Sequence, residues 1–184
     1  MFRNVLPKFK ITKYVKTFQF LFSRNCSNSE LSVGIKENKL KNVNNIVDIE
    51  KTFYNFVKNI PDECNVGNID LIIDSVTSIA IISMNNPNSL NAMSGKMMIE
   101  FNEITKRLLQ WKDGKAVVLI GANNQFCSGG DLKNFMNHLE TDKLGYMMSC
   151  YMHKVMREFS LLPMPTIAVI EGQTLGGGAE VCSI

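Results

Sequence analysis

Residues 165–180 read PTIAVIEGQTLGGGAE, an apolar run from Thr166 to Ile170 and then a turn that ends in three consecutive glycines, Gly176 to Gly178, with Glu180 just beyond them. Glycine runs often serve as flexible linker. This one joins a strand-like run to residues that continue in a helical pattern, so it has a second meaning: a strand turning into a helix with bare backbone at the junction. The choice depends on whether the rest of the chain repeats the arrangement.

It does. Residues 116–122, AVVLIGA, are apolar without alternation, which predicts a strand buried on both faces, and such strands belong to parallel sheets with helical crossovers. They lead into a second glycine turn, NNQFCSGGDL at 123–132, then a helical pattern near Leu132 to Leu139 and a longer one from about Lys143 to Leu161. PTIAVIEG then reads as another buried strand. Upstream, IDLIID at 69–74 and IAIISM at 79–84 read as a hairpin, and NNPNSLNAMS at 85–94 as a loop. Gly95 to Trp111 carries Met97, Met98, Phe101, Ile104 and Leu108 on one helical stripe, so these methionines read as core. Ile46, Ile49, Phe53, Phe56, Val57 and Ile60 share one face of a short amphipathic helix that Pro61 stops. Successive strand, glycine turn and helix units define an α/β fold with functional loops at the strand ends. The expected organisation is a basic segment over 1–30, a linker and short helix over 31–68, and a folded domain over 69–184.

The 184 residues are 45% hydrophobic and 20% charged, ordinary values for a globular chain with one core. The net charge of +3 is unevenly distributed. Arg3, Lys8, Lys10, Lys13, Lys16 and Arg24 precede the first acid, Glu30, while the remaining 14 basic and 17 acidic residues leave the rest of the chain at −3. No basic stripe with interleaved aromatics lies outside that head, which argues against nucleic-acid binding. No apolar run approaches the ~20 residues of a membrane span. The head itself is rich in Arg, Lys and Phe, lacks acids and ends in a Ser/Asn cluster, the composition of a mitochondrial transit peptide. Five cysteines, Cys26, Cys64, Cys127, Cys150 and Cys182, have neither even number nor metal-ligand spacing and read as free thiols. His138 and His153 are isolated on helical segments and read as surface or packed side chains.

Neither glycine turn has the spacing of a dinucleotide or phosphate loop, and no nucleophile elbow is present. What the turns share is backbone that can approach a ligand with its N–H groups turned outward. One donor set comes from Ser128 to Asp131 and another from Gly176 to Gly178. Brought together, they would grip one developing oxyanion from two sides, an arrangement in which a single donor is worth about 2.7–4 kcal/mol of transition-state stabilisation.

NNPNSLNAMS, FCSGGDL and PTIAVIEGQTLGGGAE, in this order, resemble the three successive signatures of the crotonase superfamily, the enoyl-CoA hydratase/isomerase fold. The resemblance covers about Ile69 to Glu180. It implies a crotonase-like spiral of repeated β-β-α units, here incomplete at the C-terminal end, because members of the family continue well beyond the position of Ile184 with further covering elements. It implies an oxyanion hole made by the backbone N–H groups of Gly130 and Gly177, an acid/base role for Glu180, and contacts to the CoA moiety from Leu90, Asn91, Ala92, Ser128, Gly129, Asp131 and Leu132. CoA is part of the substrate, and no metal or organic cofactor is implied. Assembly as a homotrimer or hexamer of the full-length protein is implied as well.

Within the superfamily, NAMSGKMM, LLQWKDGK and the form of the second turn are most similar to the branch that decarboxylates short branched malonyl thioesters, ethylmalonyl-CoA or methylmalonyl-CoA. The implied reaction is therefore that of a carboxy-lyase acting on an acyl-CoA. Two alternatives stand beside it: hydration or isomerisation of an enoyl-CoA in fatty-acid β-oxidation, and a catalytically silent chain that associates with full-length subunits. The similar branch is cytosolic, so the cytosol is the alternative to the mitochondrial location that the basic head suggests. A fusion of residues 1–35 to a fluorescent reporter is expected to enter mitochondria; a diffuse cytosolic signal would overturn the targeting expectation.

Overall fold

The computed structural model describes residues 46–184, with side chains from Ile49 onward, so the expected transit segment lies outside the described residues. The order is α1 (Ile46–Lys58), β1 (Asn68–Asp74), β2 (Ile79–Asn85), α2 (Gly95–Leu109), β3 (Ala116–Gly121), α3 (Asp142–Ser160), β4 (Thr166–Val169) and α4 (Gly177–Cys182). The strands form one sheet in the order β1-β2-β3-β4. β1 and β2 are antiparallel, from Asn68 opposite Asn85 to Asp74 opposite Ile79. β3 pairs parallel with β2 and β4 parallel with β3, each across a helical connection.

Local chemistry accounts for the elements. Asp74 closes the hairpin by accepting from the Val76 N–H at 2.9 Å and the Thr77 hydroxyl at 2.6 Å. The Ser94 hydroxyl accepts from Met97 N–H at 3.3 Å to start α2, and Thr141 does the same for Leu144 at the start of α3. Ala80, Ile82 and Met84 alternate along β2 and are buried, together with Met97, Phe101 and Leu108 of α2, in one core. Among the described residues no helix is long and apolar enough to cross a membrane.

α1 closes this core from outside. Phe53 is fully buried, stacks on Tyr151 of α3 at 3.9 Å between ring centroids, and meets Phe135 edge-on at 6.2 Å. One turn earlier, Glu50 is paired with Lys106 of α2 and Lys154 of α3, so a single carboxylate ties three helices together. Partial burial raises the Glu50 pKa, but hydrogen bonds and charge from Lys106 and Lys154 outweigh it and hold the carboxyl below its ordinary range.

Three expectations need correction. No helix forms over Leu132 to Leu139; that stretch is a series of turns ending in one 3-10 turn, Met136–His138. The buried Asp131 carboxylate accepts from both the N–H and the Nδ2 of Asn134, at 2.9 Å each, which closes a local turn in place of an α-helical start. β3 is not buried on both faces, since Val117 and Leu119 are enclosed while Val118 and Ile120 are half-buried. β4 is an edge strand rather than a buried one, with Ile167 46% exposed and Ile170 just beyond it 51% exposed.

Replacing Phe53 with alanine deletes a fully buried ring that touches both α3 and the 131–136 turn. The expected loss of unfolding free energy is about 3–5 kcal/mol, to be read from urea denaturation; a loss under about 1 kcal/mol would show that α1 is peripheral.

Candidate active site

The site is assembled from three loops at one end of the sheet. The first follows β2. Leu90 and Asn91 both take left-handed backbone, φ 52° and 56°, a conformation Asn tolerates better than most residues. The Asn91 side chain, fully buried, donates to the carbonyls of Ala122 at 2.9 Å and Gln125 at 2.6 Å and accepts from Asn86 N–H at 2.9 Å. Asn86 in turn donates to Ala92 O at 2.8 Å. These two asparagines satisfy backbone that burial would otherwise leave unpaired.

The second loop, 126–131, lies between the other two. On one side, Met93 N–H donates to Gly129 O at 2.8 Å and Asp131 N–H donates to Met93 O at 3.0 Å, forming a parallel bridge between Met93 and Gly130. On the other, Cys127 bridges Thr174: Cys127 N–H donates to Gln173 O at 3.2 Å, and Leu175 N–H donates to Cys127 O at 3.1 Å. In a parallel bridge the residue bracketed by the two bonds turns its own N–H to the opposite side. The Gly130 N–H is thereby directed away from Met93.

Glycine is required where the turns touch. Gly129 has φ +104°, and a Cβ there would stand 3.0 Å from Leu175 O and 3.4 Å from Gly177 N. A Cβ on Gly178 would stand 2.2 Å from Cys127 O, an impossible approach. By contrast, a Cβ on Gly177 meets nothing closer than 3.9 Å, one of its two neighbours being Gly130 N. Neither Gly130 N–H nor Gly177 N–H donates to an acceptor among the described residues. Two adjacent donors of this kind suit a single anionic oxygen.

Both glycines line a cavity of about 500 Å³, together with Glu180 of α4. Much of its wall is methionine: Met93, Met98, Met136, Met148, Met152 and Met156. His153 and Ser149 on α3 line it as well. Met98 is thus both core and cavity wall, and His153, exposed in keeping with a surface reading, borders the same space as Glu180, which is exposed too. Nothing in a single sequence signals His153; only the fold places α3 over the glycine turns.

The seven positions matched to CoA contacts are divided. Leu90 and Leu132 are exposed, 40% and 72%, while Asn91, Ala92, Gly129 and Asp131 are buried. Ser128 donates its hydroxyl to Ser89 O at 3.1 Å and its N–H to Leu90 O at 3.1 Å, so it fastens the first loop to the second. The side chains of Asn91 and Asp131 hold turns together and the leucines offer apolar surface. Cys127 is fully buried, with its sulfur 3.4 Å from Gly129 N, and burial pushes its thiol pKa up, which makes it a packing group rather than a nucleophile.

A model of the family described as enoyl-CoA hydratase/isomerase matches residues 74–184, and the chain belongs to this family. Its α/β architecture is the crotonase fold. An ethylmalonyl-CoA decarboxylase of Mus musculus is 34% identical over 164 residues, 85% of this chain and 50% of that protein. One of Xenopus laevis is 42% identical over 117 residues, 64% and 38% of the two chains. The chain therefore spans half the length, or less, of these curated relatives. Among solved structures, an enoyl-CoA hydratase from Bacillus anthracis superposes with a TM-score of 0.56 at 30% identity, over 62% of this chain and 44% of that one. An enoyl-CoA hydratase/isomerase from Xanthobacter autotrophicus gives 0.55 at 28% identity, over 60% and 42%.

Gly178→Ala forces a methyl group into the Cys127 carbonyl and is expected to separate the two turns, at a cost of about 1–3 kcal/mol or more. Faster hydrogen exchange at the Cys127 and Leu175 amides would register the separation; unchanged protection would show that the turns are not held by this contact.

Proposed function

We propose that the protein acts on an acyl-CoA thioester and holds its carbonyl oxygen between the N–H groups of Gly130 and Gly177, stabilising an enolate. The observation that carries this reading is the pair of adjacent N–H groups without acceptors among the described residues, in turns packed against each other and lining one cavity with Glu180. The reaction favoured is decarboxylation of ethylmalonyl-CoA or methylmalonyl-CoA, supported by the names of the relatives at 34% and 42% identity. The bond between the α-carbon and the carboxylate breaks, CO₂ leaves, and the electron pair passes to the α-carbon and thioester oxygen. A proton then adds to the α-carbon, and Glu180 lines the space from which it would come.

A second reading, hydration of an enoyl-CoA, is favoured by the names of the solved neighbours and by the presence of Glu180, a carboxylate suited to directing water. Charge favours the first reading less than sequence does, since the Glu180 carboxylate repels the carboxylate of a malonyl thioester.

Both readings need the oxyanion donors. Gly177→Pro removes one N–H and is expected to lower kcat about 10²–10³-fold, whereas Gly177→Ala, for which there is room, keeps the donor and most of the activity. Glu180→Gln separates the reactions: a hydratase loses the ~10²–10⁴-fold of general acid–base catalysis, and a decarboxylase that relies on the donors loses less. CO₂ release from ethylmalonyl-CoA and water addition to crotonyl-CoA are followed on the same preparations. Efficient hydration without CO₂ release would overturn the decarboxylase assignment.

A further inference from the structure

α3 carries two stripes. Met147, Tyr151, Val155 and Phe159 recur every fourth residue and are buried in the core. Met148, Ser149, Met152, His153 and Met156 form an adjacent stripe that lines the cavity. A helix face turned from its core ordinarily carries charge. Here it carries three thioethers that are half-buried, continued across the cavity by Met93, Met98 and Met136. The polar members of this face, Ser149 and His153, stand one helical turn apart, spacing at which two side chains reach a common ligand. Among the residues lining the cavity, His153 and Glu180 are the only ionisable side chains.

We propose that His153, with Ser149 one turn before it, receives the free carboxylate of a malonyl-type thioester and selects carboxylated substrates over simple acyl and enoyl thioesters. The inference rests on the acyl-CoA reading above and names the substrate feature that the same cavity recognises. Its physical basis is the distribution of charge. A substrate carboxylate is repelled by Glu180 and must turn toward donors elsewhere in the cavity. On the α3 face those donors are the imidazole N–H and the serine hydroxyl. A hydrogen bond to an ionised acceptor is about twice as strong as a neutral one, and the half-buried methionines beside these two exposed donors adapt to a methyl or ethyl branch.

The contact is made to the ground state. As CO₂ departs, the charge it carried moves to the α-carbon and the thioester oxygen, so the bonds from His153 and Ser149 weaken while those from Gly130 and Gly177 strengthen. Binding of this kind sets which substrate enters and raises affinity; it does not speed the bond cleavage. Loss of His153 therefore weakens binding of the carboxylated substrate and raises KM, while kcat holds or rises, because the bonds removed were already weakening on the way to the transition state.

The test uses two CoA thioethers in which a methylene replaces the thioester carbonyl, so that neither can lose CO₂: 2-carboxybutyl-CoA and butyl-CoA. Affinities are measured by calorimetric titration for the unaltered protein, His153→Leu and His153→Gln. The unaltered protein is expected to favour the carboxylated ligand. His153→Leu is expected to weaken that ligand alone by about 10- to 100-fold, and His153→Gln, which retains an N–H donor, to keep most of the preference. An equal loss for both ligands in His153→Leu, or an unchanged ratio, overturns the inference while leaving the acyl-CoA reading intact. Binding of neither thioether by the unaltered protein, even at millimolar concentration, overturns the acyl-CoA reading itself.

Discussion

The main chain of Met93 donates to Gly129 and accepts from Asp131, and this two-sided grip decides which way the peptide of Gly130 faces. A glycine in a turn has no side chain to fix its rotation, so the direction of its N–H must be imposed by its neighbours. Met93 imposes it from one flank, and on the other the main chain of Cys127 is fastened to Gln173 and Leu175. The loop that carries Met93 is itself held by Asn86, whose amide donates to Ala92 within the loop, and by Asn91, whose amide donates to the carbonyls of Ala122 and Gln125 after β3. The chain of dependence runs from two buried asparagines to one bridge to one N–H. Four glycines, Gly129, Gly130, Gly177 and Gly178, then allow the turns to meet at distances that a side chain at Gly129 or Gly178 would forbid.

Much of this was legible from residue order. The hairpin, α2 and α3 come out within two residues of the expected bounds because their apolar spacing and their ends, set by Asp74, Ser94 and Thr141, agree with each other. The stretch after Asp131 did not, since its leucine and methionine pattern is helical while Asp131 and Asn134 offer the backbone a competing turn, and a pattern of apolar residues carries no record of that competition. Phe135 settles the outcome by packing against Phe53 and Phe56, residues about eighty positions away. For β3 and β4, apolar composition was read as burial on both faces, but composition states what a residue tolerates and burial depends on what covers it.

At the site, the glycines and Glu180 announced themselves through spacing, and their proximity in the fold follows from two parallel strands ending side by side. His153 did not, because the cavity it borders is built from several elements and no local pattern marks it. The methionines were ambiguous for a related reason: thioethers serve equally as core filling and as an adaptable cavity wall, and Met98 does both. Asn91 and Asp131, which the resemblance matches to CoA contacts, also hold backbone through their side chains.

α1 raises a separate matter. The family match begins at residue 74, beyond the end of α1 at Lys58, yet Phe53 sits at the centre of the packed aromatic group and Glu50 joins α2 to α3. The span that the family model recognises is thus shorter than the span over which the chain coheres. A piece cut at the recognisable boundary would keep every residue of the candidate site and lose the ring against which Tyr151 stacks, on the helix that walls the cavity. In this chain the helix that steadies the cavity wall thus lies upstream of the loops that make the site.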